Sequence, residues 1–138
     1  MANALYTPFK NSYLTQAANQ VDFDAPDDVR LILIDVADYT VNLTTHDFLD
    51  DVPAGARVAT SGNITVSVSG ATVDASDVTF TAVTGDPSEA LVGYKHTGVE
   101  STSRLIWYID TATGLPVTPN GGDITVTWDN GANKIFTL

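Results

Sequence analysis

From Ala56 onward, apolar side chains recur at every second position. Ile64, Val66 and Val68 alternate with Thr65, Ser67 and Ser69, and Val78, Phe80 and Ala82 alternate with Thr79 and Thr81. Successive side chains leave a strand on opposite sides, so this period belongs to strands with one buried and one wet face. Further strands are expected over Ala90–Lys95 and residues 104–110, 123–129 and 134–138. Upstream, residues 29–36 are apolar apart from Arg30 and Asp35, and read as a strand buried on both faces. Between the last two strands, Asp129-Asn130-Gly131-Ala132-Asn133 offers residues that tolerate positive φ, which predicts a hairpin there. About eight strands and one short helix define a mainly β protein, a single-domain β-sandwich or partly closed barrel. The many threonines suit it, because β-branched side chains fit a pleated surface while their hydroxyls keep its outer face wet.

The helix is expected at the start. Thr7-Pro8 supplies a capping hydroxyl and a proline at the first helical position, and the spacing predicts a helix over about residues 8–18. Phe9, Tyr13 and Ala17, with Leu14 beside them, make one apolar stripe. So short a helix does not hold in water unaided, so the stripe docks on its own sheet or on a partner, and both remain open at this point. Residues 20–28 are acidic and turn-like, which divides the chain into an N-terminal arm with its helix, 1–28, and a β-domain, 29–138. Thr44 or Thr45 can cap a brief helical turn through His46-Asp47-Phe48-Leu49, ended by Pro53-Ala54-Gly55.

Charge narrows the partners. Among 138 residues, six Lys and Arg face seventeen Asp and Glu, for a formal charge of −11. Such a surface is repelled by phosphate backbones and anionic headgroups, so neither nucleic acid nor membrane is expected as a partner. No apolar run approaches the roughly twenty residues of a spanning helix, and MANALYTPFK lacks the apolar core of a signal peptide. Without cysteine there is no disulfide framework and no thiolate metal site.

Reactive groups are sparse. His46-Asp47 invites a Ser-His-Asp reading, but neighbouring residues point in different directions and no Gly-x-Ser-x-Gly elbow is present; His46 and His96 are read as solvent-exposed. Asp22, Asp24, Asp27 and Asp28 could ligate calcium, yet the EF-hand order is missing and Pro26 interrupts the run, so a solvated acidic turn is expected; Asp47, Asp50 and Asp51 are read the same way. The two glutamates, Glu89 and Glu100, lie at strand edges, where solubility is their default role, and Gly121-Gly122 lacks the Lys-Ser/Thr of a phosphate loop. No enzyme activity, metal or cofactor is expected. Tyr94, Trp107, Tyr108 and Trp128 could form a sugar platform. Trp128 instead continues the Ile124, Val126 core face, while adjacent Trp107 and Tyr108 must point to opposite sides, leaving one exposed or at an interface. The triplets Asn42-Leu43-Thr44 and Asn63-Ile64-Thr65 match the glycosylation pattern but carry no meaning without a secretory signal.

The stretches VADYTVNLTTHDFLDDVPAGARVATS and EALVGYKHTGVESTSRLIWYIDTATGLPVTPNGGDITVTWDNGANKIFTL, with the strand before them, resemble a family of small tailed-bacteriophage virion proteins, the head decoration or capsid cement proteins. The resemblance covers roughly residues 30–138 and is most specific over 111–136; family members often carry an aliphatic residue at the place of Gly93 and an acidic one at that of His96. It implies a structural protein, made in the host cytoplasm, that sits on the outer surface of the virion capsid as a homotrimer and stabilises the head by bridging neighbouring major capsid protein subunits. The alternative is a tail-associated structural or adhesion module that binds host surface glycans. The interface is expected at Leu5, Tyr6 and Phe9 of the arm and at Trp107 and Tyr108.

Overall fold

The computed structural model describes residues 3–24 and 27–138. Along the chain run β1 (Ala4–Leu5), α1 (Thr7–Leu14), β2 (Val29–Ile34), β3 (Arg57–Thr60), β4 (Val66–Ser69), β5 (Thr72–Ala75), β6 (Val78–Phe80), β7 (Ala90–Lys95), β8 (Leu105–Ile109), β9 (Ile124–Val126) and β10 (Phe136–Thr137), with single 3-10 turns at Leu49–Asp51, Ala54–Ala56 and Glu100–Thr102. The fold is mainly β, as the alternation predicts. Three antiparallel sheets form: a five-stranded one in the order β1-β8-β7-β2-β3, a three-stranded one, β10-β5-β4, and the pair β6-β9. Among the described residues none closes on itself, so the architecture is sandwich-like and the barrel alternative falls away.

The five-stranded sheet is the centre of the molecule because both of its faces are covered. β2 is buried at every position but Arg30, and β7 at every position but Lys95. One face carries Trp107, whose indole meets Trp128 and Phe136 at ring-centroid distances of 6.0 and 5.9 Å, joining the large sheet to the flank built around β9 and β10. On the other, Tyr108 lines a hollow with Val36, Tyr39 and Val41 from the long connection after β2. Trp107 and Tyr108 are therefore both buried, at 2% and 4% exposure, and the expectation that one of them faces outward is corrected. The alternation rule assumes one wet face, which this sheet lacks.

The arm is no arm. β1 pairs with β8, Ala4 opposite Tyr108 and Leu5 opposite Trp107, and Tyr6 and Phe9 are fully buried. Phe9 packs edge-on against Tyr13, Phe23 and Phe136. Arg104 adds a polar clamp, its guanidinium donating to the carbonyls of Asn19 at 3.0 Å and Pro8 at 3.4 Å. Of the two docking alternatives, the chain's own body receives the stripe. The helix is one turn shorter than its stripe suggests: Gln16 takes φ 51°, and Ala17 N–H reaches Ser12 O at 2.9 Å, a Schellman closure that ends it. Leu14 is consequently 85% exposed and drops out of the stripe, and the N-cap is Tyr6, with no side-chain bond, instead of Thr7.

The hairpin expected at 129–133 does not form. β9 pairs with β6, Val78 opposite Val126, and β10 with β5, Phe136 opposite Val73. The two last strands thus belong to different sheets. Their turn residues are compatible with a reversal, but each strand buries its apolar positions against an earlier partner: Ile124, Val126 and Trp128 are half-buried while Thr125 and Thr127 stay exposed.

Candidate functional site

The five residues expected at an interface are all placed by the fold, and none makes a surface patch. Tyr6, Phe9, Trp107 and Tyr108 lie in the core, and Leu5 is half-buried in β1. What they build instead is two internal contacts. Tyr6 and Tyr39 hydroxyls meet at 2.9 Å, and the Tyr39 hydroxyl meets His46 Nδ1 at 2.9 Å. Asn42 N–H donates to the same Nδ1 at 3.3 Å, so that nitrogen is an acceptor, Tyr39 donates to it, and Tyr6 donates to Tyr39. Burial, first, and the neighbouring tyrosine push the Tyr6 hydroxyl well above the ordinary tyrosine range, and burial raises Tyr39 to about 12. Both therefore stay neutral donors. His46 is half-buried and stacked on Tyr39, with rings 5.5 Å apart, not solvent-exposed as expected; it clasps the 39–46 loop to the start of the chain.

The second contact is Gly93 against Trp107, opposed across β7 and β8. A Cβ at Gly93 would lie 2.1 to 2.5 Å from three indole atoms. The indole occupies the space a side chain would need, which explains glycine at this place on physical grounds.

Most of the charged candidates are engaged in folding, whereas Asp24 and Asp50 are exposed. Asp28 grips Arg30 through two bonds of 2.9 and 2.7 Å, which hold its carboxyl below the usual range. Asp27 pairs with Lys95 at 3.0 Å and accepts Asp22 N–H. Pro26 lies outside the described residues. Asp51 accepts the N–H groups of Asp47 and Phe48, closing the 3-10 turn at Leu49–Asp51, one turn later than the helix expected at 46–49. Burial, then Asp51 beside it, raises Asp47 above the ordinary carboxylate value. Glu89 accepts Val36 N–H, and Glu100 meets Arg57 at 2.6 Å, so neither glutamate is merely a solubilising charge. Arg57 also donates to the carbonyls of Leu49 and Val52. His96 is half-buried, with Nδ1 enclosed and unbonded. Among the described residues no group of three or more His, Cys, Asp or Glu is placed to hold a metal ion.

Of the four aromatics considered as a sugar platform, Tyr94, Trp107 and Tyr108 are buried, and Trp128 is half-buried with Nε1 donating to Ser76 O at 3.1 Å. Open surface is found elsewhere, and two parts of it bear on function. Residues 111–136 contain no fully buried position, although Ile124, Val126, Trp128, Ile135 and Phe136 turn one side onto the core. Exposed Val68 and Leu138 line a groove across the face of the β10-β5-β4 sheet with Tyr13, Phe23 and Val73. The sequence pattern marks the first region as loop-rich; it contains no signal for the second, because which strands share a sheet is a property of the whole topology.

No protein-family model matches the chain, and no curated protein matches it significantly.

Proposed function

We propose that this protein is a structural virion component that decorates the outer surface of an expanded bacteriophage capsid as a homotrimer and stabilises it by bridging neighbouring major capsid protein subunits. The observation that carries this reading is the resemblance of the 30–138 stretch to head decoration proteins. Its most specific part, 111–136, contains no fully buried residue, and its exposed positions are within reach of a partner.

The physics needs no reaction. A protein that binds the assembled lattice and not its free subunits stabilises the lattice by mass action. A trimer touching several subunits at once turns weak single contacts into strong retention through effective concentration. The formal charge of −11 keeps decorated particles apart and away from nucleic acid.

The test is to add purified protein to undecorated expanded capsids of the parent phage. Saturation at a fixed stoichiometry, with decorated heads surviving heating that breaks bare ones, is the expected outcome. Absence of saturable capsid binding overturns the reading, and saturable binding to host cell-wall sugar in its place favours the tail adhesion module.

A further inference from the structure

Two Asn-Gly pairs occur in the chain, Asn120-Gly121 and Asn130-Gly131, and all four residues are exposed. Asparagine before glycine is prone to self-cyclisation, because no side chain on the glycine shields its nitrogen from the carboxamide carbon. The fold treats the two pairs differently. Around the first, Gly121 N–H donates to Val83 O at 2.8 Å, Val83 N–H donates to Gly122 O at 2.9 Å, and Gly122 N–H donates to Asn120 Oδ1 at 2.9 Å. Nucleophile and carboxamide are both held there, and Val83 itself is buried. Around the second, neither the Asn130 carboxamide nor the Gly131 N–H has a hydrogen-bond partner among the described residues. The segment is tied on either side of the pair, by Trp128 N–H on Asp77 Oδ1 at 3.3 Å and by Ile135 N–H on Val73 O at 3.1 Å.

We infer that Asn130 is a self-modification site, converting in the folded protein to isoaspartate and aspartate while Asn120 persists. The Gly131 nitrogen attacks Asn130 Cγ and gives up its proton to solvent. The Cγ–Nδ2 bond breaks, and Nδ2 leaves as ammonia. The five-membered imide that results is opened by water: addition at Cγ restores the original backbone with an aspartate side chain, and addition at the Asn130 main-chain carbonyl carbon routes the backbone through Cγ as isoaspartate. Nothing is oxidised or reduced, and water is the sole co-reactant. At Asn120 the same attack first requires release of the Gly121 N–H from Val83 and of the carboxamide from Gly122. Each converted molecule gains one carboxylate, taking the formal charge from −11 to about −12 in the connection between β9 and β10. The inference is independent of the capsid reading.

The experiment stores the folded full chain in water enriched in heavy oxygen at mildly alkaline pH, beside a sample unfolded in urea. Chymotrypsin cleavage after Trp128 puts the two pairs on separate peptides, and mass spectrometry with backbone fragmentation follows each. In the folded protein, conversion at Asn130 is at least about tenfold faster than at Asn120, where hydrogen bonds must open first. Each converted site takes up one heavy oxygen, and isoaspartate accompanies aspartate. In urea the difference between the pairs collapses. Gly131→Val shields the nitrogen, suppressing conversion at Asn130 and leaving Asn120 unchanged. Gly131 does not take a positive φ, and the atoms nearest its Cβ position belong to the exposed Asp129 carboxylate, which can swing aside. Equal rates at the two sites in the folded protein, faster conversion at Asn120, or a ratio that urea leaves unchanged overturns the proposal. So does aspartate without isoaspartate, a Gly131→Val variant that converts as fast as the wild type, or a folded Asn130 that stays intact while the unfolded chain converts there.

Discussion

Replacing Gly93 with alanine tests the glycine that leaves least room for a side chain. The new Cβ would sit 2.1 Å from Trp107 Cε2 and 2.3 Å from Cζ2, well inside an ordinary carbon contact. The indole has nowhere to retreat: Trp107 is 2% exposed and flanked by Trp128 and Phe136. Overpacking a filled core costs about 1–3 kcal/mol, and a collision with a boxed-in ring belongs at the upper end. At this chain length a loss of ~3 kcal/mol lowers Tm by roughly 10 °C. Trp107→Ala alone costs about 3–5 kcal/mol through the cavity it leaves. In that background the methyl group at position 93 enters empty space, so its penalty disappears or becomes a small gain. Urea unfolding of the wild type, both single variants and the double variant, followed by far-UV circular dichroism, gives the coupling directly. A coupling energy of about 2–3 kcal/mol is expected. Additivity of the two changes within ~0.5 kcal/mol would refute the reasoning.

Three further perturbations have defined outcomes. Arg57→Met strips donors from the buried-side carbonyls of Leu49 and Val52 and costs about 1–3 kcal/mol in urea unfolding, whereas Glu100→Gln, at the exposed end of the same guanidinium, moves Tm far less. Asp47→Asn raises Tm at neutral pH: the folded carboxyl has a raised pKa, so folding is penalised while it is charged, and the advantage of the variant shrinks as pH falls through that pKa and is gone below the ordinary value of 3.8. Tyr6→Phe removes the donor to Tyr39 and costs about 1 kcal/mol, with faster amide exchange in the 39–46 loop as its local signature.

What sequence can reveal here depends on how local the cause is. β7 matches its expected span, Ala90–Lys95, and β2 is found where the apolar run puts it, because side-chain pattern alone decides whether such segments can be buried. The half-buried face of Ile124, Val126 and Trp128 is legible for the same reason. Partner choice is not local. The 129–133 turn has hairpin chemistry, yet Val78 and Val73 claim the strands on either side of it. An apolar stripe at Phe9 announces that something will cover it without naming the cover, which is how a core residue reads as an interface residue. Gly93 and Trp107 lie in different strands, and only their opposition across the ladder shows why one must be small.

The strand partnerships also govern when the molecule can form. β8 is the neighbour on which both β1 and β7 rely, β9 is the sole partner of β6, and β10 completes the sheet of β5. Every sheet therefore waits for a segment from the final third of the chain. A nascent polypeptide still held by the ribosome past Lys95 has no finished sheet to fold into, with Val29–Ile34 exposed as an adhesive apolar ribbon. Formation of every sheet thus depends on pairing between segments far apart in the chain, a topology that folds slowly.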